Sequence, residues 1–466
     1  MTSDLIWLSA SRLLRGYRKG EFSPVEVARA VLDRVKAVDG RVNAFCLVDR
    51  KAALASARAS EKRWREGRPL ALDGVPTSIK DLVLTKGWPT LRGSRTVDPD
   101  QPWNDDAPAV ARLKEAGAVL IGKTTTPEFG WKGVTDSPLT GITRNPWDLT
   151  KTPGGSSGGA AAAVASGMGA LAIGTDGGGS IRIPAGFSGI FGLKPSFGRV
   201  PAWPASPFGT VAHLGPMTRT VKDAALMLNV LARPDARDWH ALPYDDADCT
   251  RGLDKGLKGL KVAWSPALGH ASVDPGVAAL VERAIHSLAA LGAEVETVDP
   301  GFEDPAALFR TIWWAGARGI AARLPKRTLK RLDPGLADVV EQAQAITLEQ
   351  FIAAQVERAA FGAHMRAFMG RYDLLATPAL PITAFEVGRI APMTDEKGKW
   401  VNWTPFTYPF NLTQQPACSV PCGFSEAGLP VGLQLVGRMF DDATVLRAAR
   451  AYEQAHGWRK MKPPLE

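Results

Sequence analysis

Gly154-Gly155-Ser156-Ser157-Gly158-Gly159-Ala160 and Gly174-Thr175-Asp176-Gly177-Gly178-Gly179-Ser180-Ile181-Arg182-Ile183-Pro184-Ala185 are the two most informative runs in this 466-residue chain. Between them, the Ala-rich residues 157–167 read as a helix and Ala170-Leu171-Ala172-Ile173-Gly174 as a short buried strand. Turn, helix, strand, turn is a unit of an α/β sheet. Neither run matches G-x-x-x-x-G-K-[ST], so a nucleotide P-loop has little support. Gly154-x-Ser156-x-Gly158 matches the nucleophile elbow of α/β-hydrolases, but that elbow follows directly on a strand. Here residues 145–153, with Pro146 and Pro153, cannot form a central strand.

Further out, the alternation of strands and helices continues. Residues 4–68 read as helical, with Pro24 after Ser23 opening one helix. Strands are expected at 74–80, 118–122, 257–266, 293–298, 372–378, 417–421 and 431–436, and helices at 107–117, 273–291, 304–370 and 441–456. Residues 124–158 read as loop. No repeat or low-complexity linker divides the chain, which favours one large α/β domain over three.

Composition narrows the function classes. Hydrophobic residues make up 45% and charged residues 22%, the mix of a globular protein. The 47 Gly and 35 Pro cluster in particular segments, as in a loop-rich fold. Four Cys exclude a disulfide scaffold and fit a reducing compartment. The net charge of +9 comes without any block of like charges, and the loose cluster Lys326, Arg327, Lys330 and Arg331 reads as a solvated helix face. No nucleic-acid-binding signature is present, so no nucleic-acid partner is expected. Met-Thr-Ser-Asp-Leu-Ile-Trp at the N-terminus has no basic region before an apolar one, so a cytoplasmic location is expected. The uncharged stretch between Lys151 and Asp176 is long enough to span a bilayer, but its Gly, Ala and Ser gain too little from lipid.

Three glycines before a serine have a chemical use. Gly177, Gly178 and Gly179 let the backbone turn sharply and leave amide N–H groups uncovered, so they are candidates for an oxyanion hole beside a Ser180 nucleophile. A serine hydroxyl needs a base. The histidines His213, His240, His270, His286, His364 and His456 mostly fall in segments that read as helix surfaces or loops, with no metal-ligand spacing. Cys418 and Cys422 lack partners and read as core. Lys80, at the end of an apolar strand, can serve as base if burial lowers its pKa.

Taken together these segments resemble the amidase signature family. The motifs are Gly154–Gly159, Gly178–Arg182 and Gly74–Asp81, at spacings that fit the family pattern, with weaker likeness at Asn411–Pro416 and Gly428–Gln434. The resemblance implies a single domain, residues 1–466 with a signature core at about 74–200, built on a mixed central sheet covered by helices on both faces. It also implies a Ser–Ser–Lys triad that uses no metal or organic cofactor. Ser180 is then the acylated nucleophile, Lys80 the neutral base, and Ser156, after a cis Gly155-Ser156 peptide, the bridge between them. Gly177, Gly178, Gly179 and the Ser180 N–H would bind the oxyanion, while Thr175, Asp176 and Arg182 would hold the loop.

Substrate expectations rest on fewer residues. In the branch that supplies the glutamine-hydrolysing component of tRNA-dependent amidotransferases, a Gln follows the signature Arg. Here that position is Ile183, which favours a stand-alone amidase on apolar acyl or aryl amides, carbamates or esters. Gly130, Trp131 and Ile183 are the expected substrate-binding residues, with Trp203, Trp313, Trp314 and Trp403 further candidates to line a cleft. The partner expected is a small-molecule amide, and the assembly to test is a homodimer.

Overall fold

Ser23, Pro24 and Glu26 open the first long helix, Pro24–Val42. The Ser23 side chain caps the Glu26 N–H, the Glu26 carboxylate returns to the Ser23 N–H, and Pro24 needs no amide hydrogen. Asn43 then turns left-handed at φ 56° and ends the helix. The computed structural model describes residues 2–243, 246–392 and 400–465 of the chain.

The expectation of helix throughout residues 4–68 is corrected here. Phe45–Val48 is a strand, β1, set between the left-handed Asn43 and the helix cap at Asp49. These two punctuating residues were the signal. The remaining strands of the main sheet are β2 Pro76–Lys80, β3 Val119–Thr124, β4 Leu171–Asp176, β5 Phe191–Lys194, β6 His213–Thr218, β7 Lys261–Trp264, β8 Glu294–Thr297, β9 Leu374–Pro378, β10 Ala417–Phe424 and β11 Pro430–Gly437. They pair in the order β1-β3-β2-β4-β6-β5-β10-β11-β9-β7-β8. β2 runs parallel to β3 and β4, and β7 runs parallel to β8 and β9, while the central pairs are antiparallel, so the sheet is mixed.

β5 and β6 were not expected, and their runs hold Gly192, Gly215 and Pro216, residue types that ordinarily interrupt strands. Packing explains the glycines. A Cβ on Gly215 would collide with the Leu193 carbonyl, and one on Gly192 would sit 2.7 Å from the Ala185 Cβ. The expected helical block at 304–370 is divided into Ala306–Ala322, Pro334–Gln342 and Leu348–Met369, with Pro325 and Pro334 at the first break and a Thr347 cap opening the last helix.

Neighbouring residues of one strand pack on opposite faces. Leu374 and Ala376 join a core with Leu228, Val281 and Leu446 from helices, whereas Leu375 joins one with Phe309, Trp313 and Met365. A strand buried on both faces needs a helical layer on each, and this sheet has both. No described helix is long and apolar enough to cross a membrane.

Candidate active site

β2 and β4 are parallel neighbours, with Ile79 opposite Ile173. Their C-terminal ends therefore open on the same edge of the sheet, the usual position for a site in such folds. Lys80 ends one strand, and Thr175 and Asp176 end the other.

The Lys80 side chain is fully buried. Its Nζ lies 2.7 Å from Ser156 Oγ, and it donates to Ser157 Oγ and Thr175 Oγ1, both at 2.8 Å. Ser157 Oγ donates onward to the Thr175 carbonyl at 3.1 Å. Three hydroxyls and no ion-paired carboxylate surround this amine among the described residues. Burial therefore holds its pKa well below the usual lysine range, against a smaller upward pull from Asp176. Thr175 and Ser157 were not expected as partners of Lys80. Ser157 stands beside Ser156 in the doubled serine motif, which was the only signal. The Gly155-Ser156 peptide is cis.

Gly177–Ser180 forms the turn after β4, and close packing requires its glycines. A Cβ on Gly177 would lie 2.7 Å from Trp313, and one on Gly178 would lie 2.7 Å from Phe309 and 2.8 Å from Trp400. Gly179 has φ 124°, and a Cβ there would collide with Thr407 Oγ1. Thr407 Oγ1 also donates to the Gly178 carbonyl at 2.7 Å. Beneath the turn, the Asp176 carboxylate accepts from the N–H of Gly179 at 2.7 Å, from Ile181 at 3.2 Å and from Arg182 Nε at 3.0 Å. The Gly179 amide is thus spent on Asp176, which corrects its expected place in the oxyanion hole. Among the described residues the amides of Gly177, Gly178 and Ser180 have no protein acceptor.

Arg182 is fully buried and also donates to Gln434 Oε1 at 2.9 Å, Asn411 Oδ1 at 2.6 Å and the Thr407 carbonyl at 2.8 Å. These contacts give the C-terminal motif residues Asn411 and Gln434 a role in holding the signature arginine. Despite its complete burial, the Arg182 charge and its hydrogen bonds keep the Asp176 carboxyl below the usual carboxylate range.

Ser156, Thr175, Gly177 and Ser180 all line one cavity of about 370 Å³. Most of its wall is apolar, including Leu82, Phe129, Trp203, Phe208, Trp313 and Ile320. Gly130 lines it too, and a Cβ there would stand 3.2 Å from Ser156 Oγ. Trp131 and Ile183, expected on this wall, are packed behind it. Ile183 fills the space between the two Gly-rich turns, where its Cδ1 would lie 2.8 Å from a Cβ on Gly179 and its Cγ2 2.9 Å from one on Gly154. Trp131 lies against Gly335, and its carbonyl accepts from Trp313 Nε1 at 3.0 Å, fixing an indole that does face the cavity. Trp403 is buried on Phe187, with ring centroids 5.9 Å apart.

Of the histidines, His213 departs from expectation. It opens β6, is buried and lines the cavity. Its Nδ1 donates to the Val211 carbonyl at 2.8 Å, which leaves Nε2 as the basic nitrogen, 3.4 Å from Lys194 Nζ. Burial and the Lys194 charge push the His213 pKa well down. No hydrogen bond joins His213 to Ser156 or Ser180 in this structure. Nor is a hydrogen bond formed between Ser156 and Ser180.

Comparison with known proteins places this geometry. A family profile described as Amidase matches residues 26–446. An acylamidase of Rhodococcus erythropolis is 38% identical, the match covering 99% of this chain and 98% of the relative. A glutamyl-tRNA(Gln) amidotransferase component of Myxococcus xanthus is 40% identical over 96% of each chain. A solved bacterial aryl acylamidase of the amidase signature family superposes with a TM-score of 0.90 and 31% identity, over 97% of each chain. With the sequence motifs, the fold and these relatives in agreement, the chain belongs to the amidase signature family and is an amide-hydrolysing enzyme.

Proposed function

We propose that the protein hydrolyses apolar acyl or aryl amides through an acyl-enzyme on Ser180. The observation that carries this reading is the desolvated Lys80 amine, 2.7 Å from Ser156 on the wall that also bears Ser180. A neutral amine has two N–H donors and one lone pair. Ser157 commits its proton to the Thr175 carbonyl and so accepts from Lys80. Ser156 is then free to donate into the Lys80 lone pair and to accept the proton of Ser180.

In the first step Ser180 Oγ attacks the amide carbonyl, and its proton passes through Ser156 to Lys80. The carbonyl oxygen takes the developing negative charge towards the free amides of Gly177, Gly178 and Ser180. Collapse breaks the C–N bond, and the same relay protonates the departing amine. Water then attacks the ester, yielding the carboxylic acid and restoring Ser180. The Ser156–Ser180 hydrogen bond that this relay needs is one that forms in the substrate complex, as catalytic hydrogen bonds often do.

The cavity favours apolar substrates by its wall, and carbamates and esters share the acyl-transfer step. A second reading, glutaminase within an amidotransferase complex, has the support of the amidotransferase relatives. Against it, the described cavity wall offers no carboxylate to a glutamine α-ammonium. Turnover of a panel of anilides, aliphatic amides and glutamine by the purified chain tests the choice. Hydrolysis of anilides without glutamine turnover is expected. Glutamine turnover that requires a co-purifying protein would reverse it.

A further inference from the structure

The cavity that bears Ser180 has a charge asymmetry that amide hydrolysis alone does not use. Its described wall carries two arginines, Arg92 and Arg323, and no Asp or Glu. Arg92 is half-buried, and its guanidinium forms no hydrogen bond to any described protein acceptor. The carboxylate that acts on it electrostatically, Asp81, accepts from the Gly93 N–H at 3.2 Å and lies 3.8 Å from Lys123 Nζ. Arg323 follows the helix Ala306–Ala322 and is exposed, with no carboxylate within ion-pair distance among the described residues.

The backbone fixes where Arg92 stands. Arg92 has φ 56° and Phe129, its neighbour on the wall, has φ 51°. The Phe129 N–H donates to the Arg92 carbonyl at 2.8 Å. Left-handed conformations are uncommon for residues with side chains and cluster at ligand sites. Gly93, at φ 61°, presses so close to the Thr126 carbonyl that a Cβ would stand 2.5 Å from it, which pins the loop. A guanidinium fork carried on a pinned backbone at an apolar wall, lacking an acceptor of its own, is complementary to a carboxylate.

We propose that Arg92 binds a carboxylate of the substrate remote from the scissile amide, with Arg323 adding long-range attraction at the same cavity. The preferred substrates are then apolar amides that end in a carboxylate. This rests on the reading above, in which Ser180 of this cavity is acylated.

The test compares kcat/KM within matched pairs. Hexanoyl anilide is set against the monoanilide of adipic acid, placing the charge on the acyl side, and against hexanoyl 4-aminobenzoate, placing it on the amine side. The wild type should prefer the charged member of at least one pair by about 10- to 100-fold, the range of a charge-assisted hydrogen bond. In Arg92→Met that ratio should fall about tenfold or more, and Arg92→Lys should retain part of it, since the charge remains and the fork is lost. A ratio cancels any general loss of activity in a variant, and Arg92→Gln is read in the same way if the Met variant is insoluble. No charge preference in either pair, or a preference that survives in Arg92→Met, overturns the proposal. If neutral anilide is still turned over with Ser180 acylated, only the carboxylate assignment fails. If no member of any pair is turned over and Ser180 is not acylated, the hydrolase reading fails with it.

Discussion

At the scale of the residue, the proposed chemistry depends on an amine whose neutral form burial favours. The Lys80 pKa is pushed below its ordinary value because desolvation outweighs the Asp176 field. The base form is the deprotonated one, so kcat/KM should fall as pH drops through that lowered pKa and hold on its alkaline side. A pH–rate profile checks this, and an acid limb that disappears in His213→Gln would move the base to the imidazole. Lys80→Ala should cost about 10²–10⁴-fold in kcat, the usual worth of general acid–base catalysis. Ser156→Ala should slow amides more than esters with good leaving groups, because the latter need no protonated amine to depart. Equal loss for a matched amide and ester would exclude Ser156 as the proton carrier. Lys80, Ser156 and Ser180 could be picked out in the sequence as candidates because motifs mark them. Thr175 as a Lys80 partner, His213 on the cavity wall and Arg92 were not, because each owes its place to strand pairing or loop packing between distant segments.

The element that aims Ser180 is the turn after β4, locked by packing from one side and by Asp176 and Arg182 from the other. Gly178→Ala would drive a methyl group into Phe309 and Trp400. Overpacking of this kind costs about 1–3 kcal/mol, and here it also displaces a proposed oxyanion donor, so denaturant unfolding and kcat should both report the change. Asp176→Asn leaves the buried Arg182 charge without its partner. Removing one member of such a pair costs about 3–5 kcal/mol, so urea unfolding should show a loss on that scale. An unchanged midpoint would mean the pair does not hold the turn. Helices and strands with clean caps and apolar runs, such as Pro24–Val42 and β4, could be read from the sequence. β1, β5 and β6 could not, because helical flanks, glycines and a proline masked strands that only sheet packing specifies.

At the scale of the whole molecule, one mixed sheet clad in helices brings strand ends and a glycine turn to a single cavity, with the distant C-terminal residues Thr407, Asn411 and Gln434 bracing that turn from behind. The family and fold class were legible from three short motifs, because those motifs supply the strand ends and turns that build the site. The expected substrate residues were less so. Ile183 and Trp131 lie one layer behind the wall, a depth that a linear pattern does not encode. The chain alone, mixed with an anilide and quenched in acid, should show by intact mass a single acyl adduct that peptide mapping places on Ser180 and that is absent from Ser180→Ala. Anilide turnover with no adduct on Ser180, or with the adduct on another residue, would refute the Ser180 acyl-enzyme.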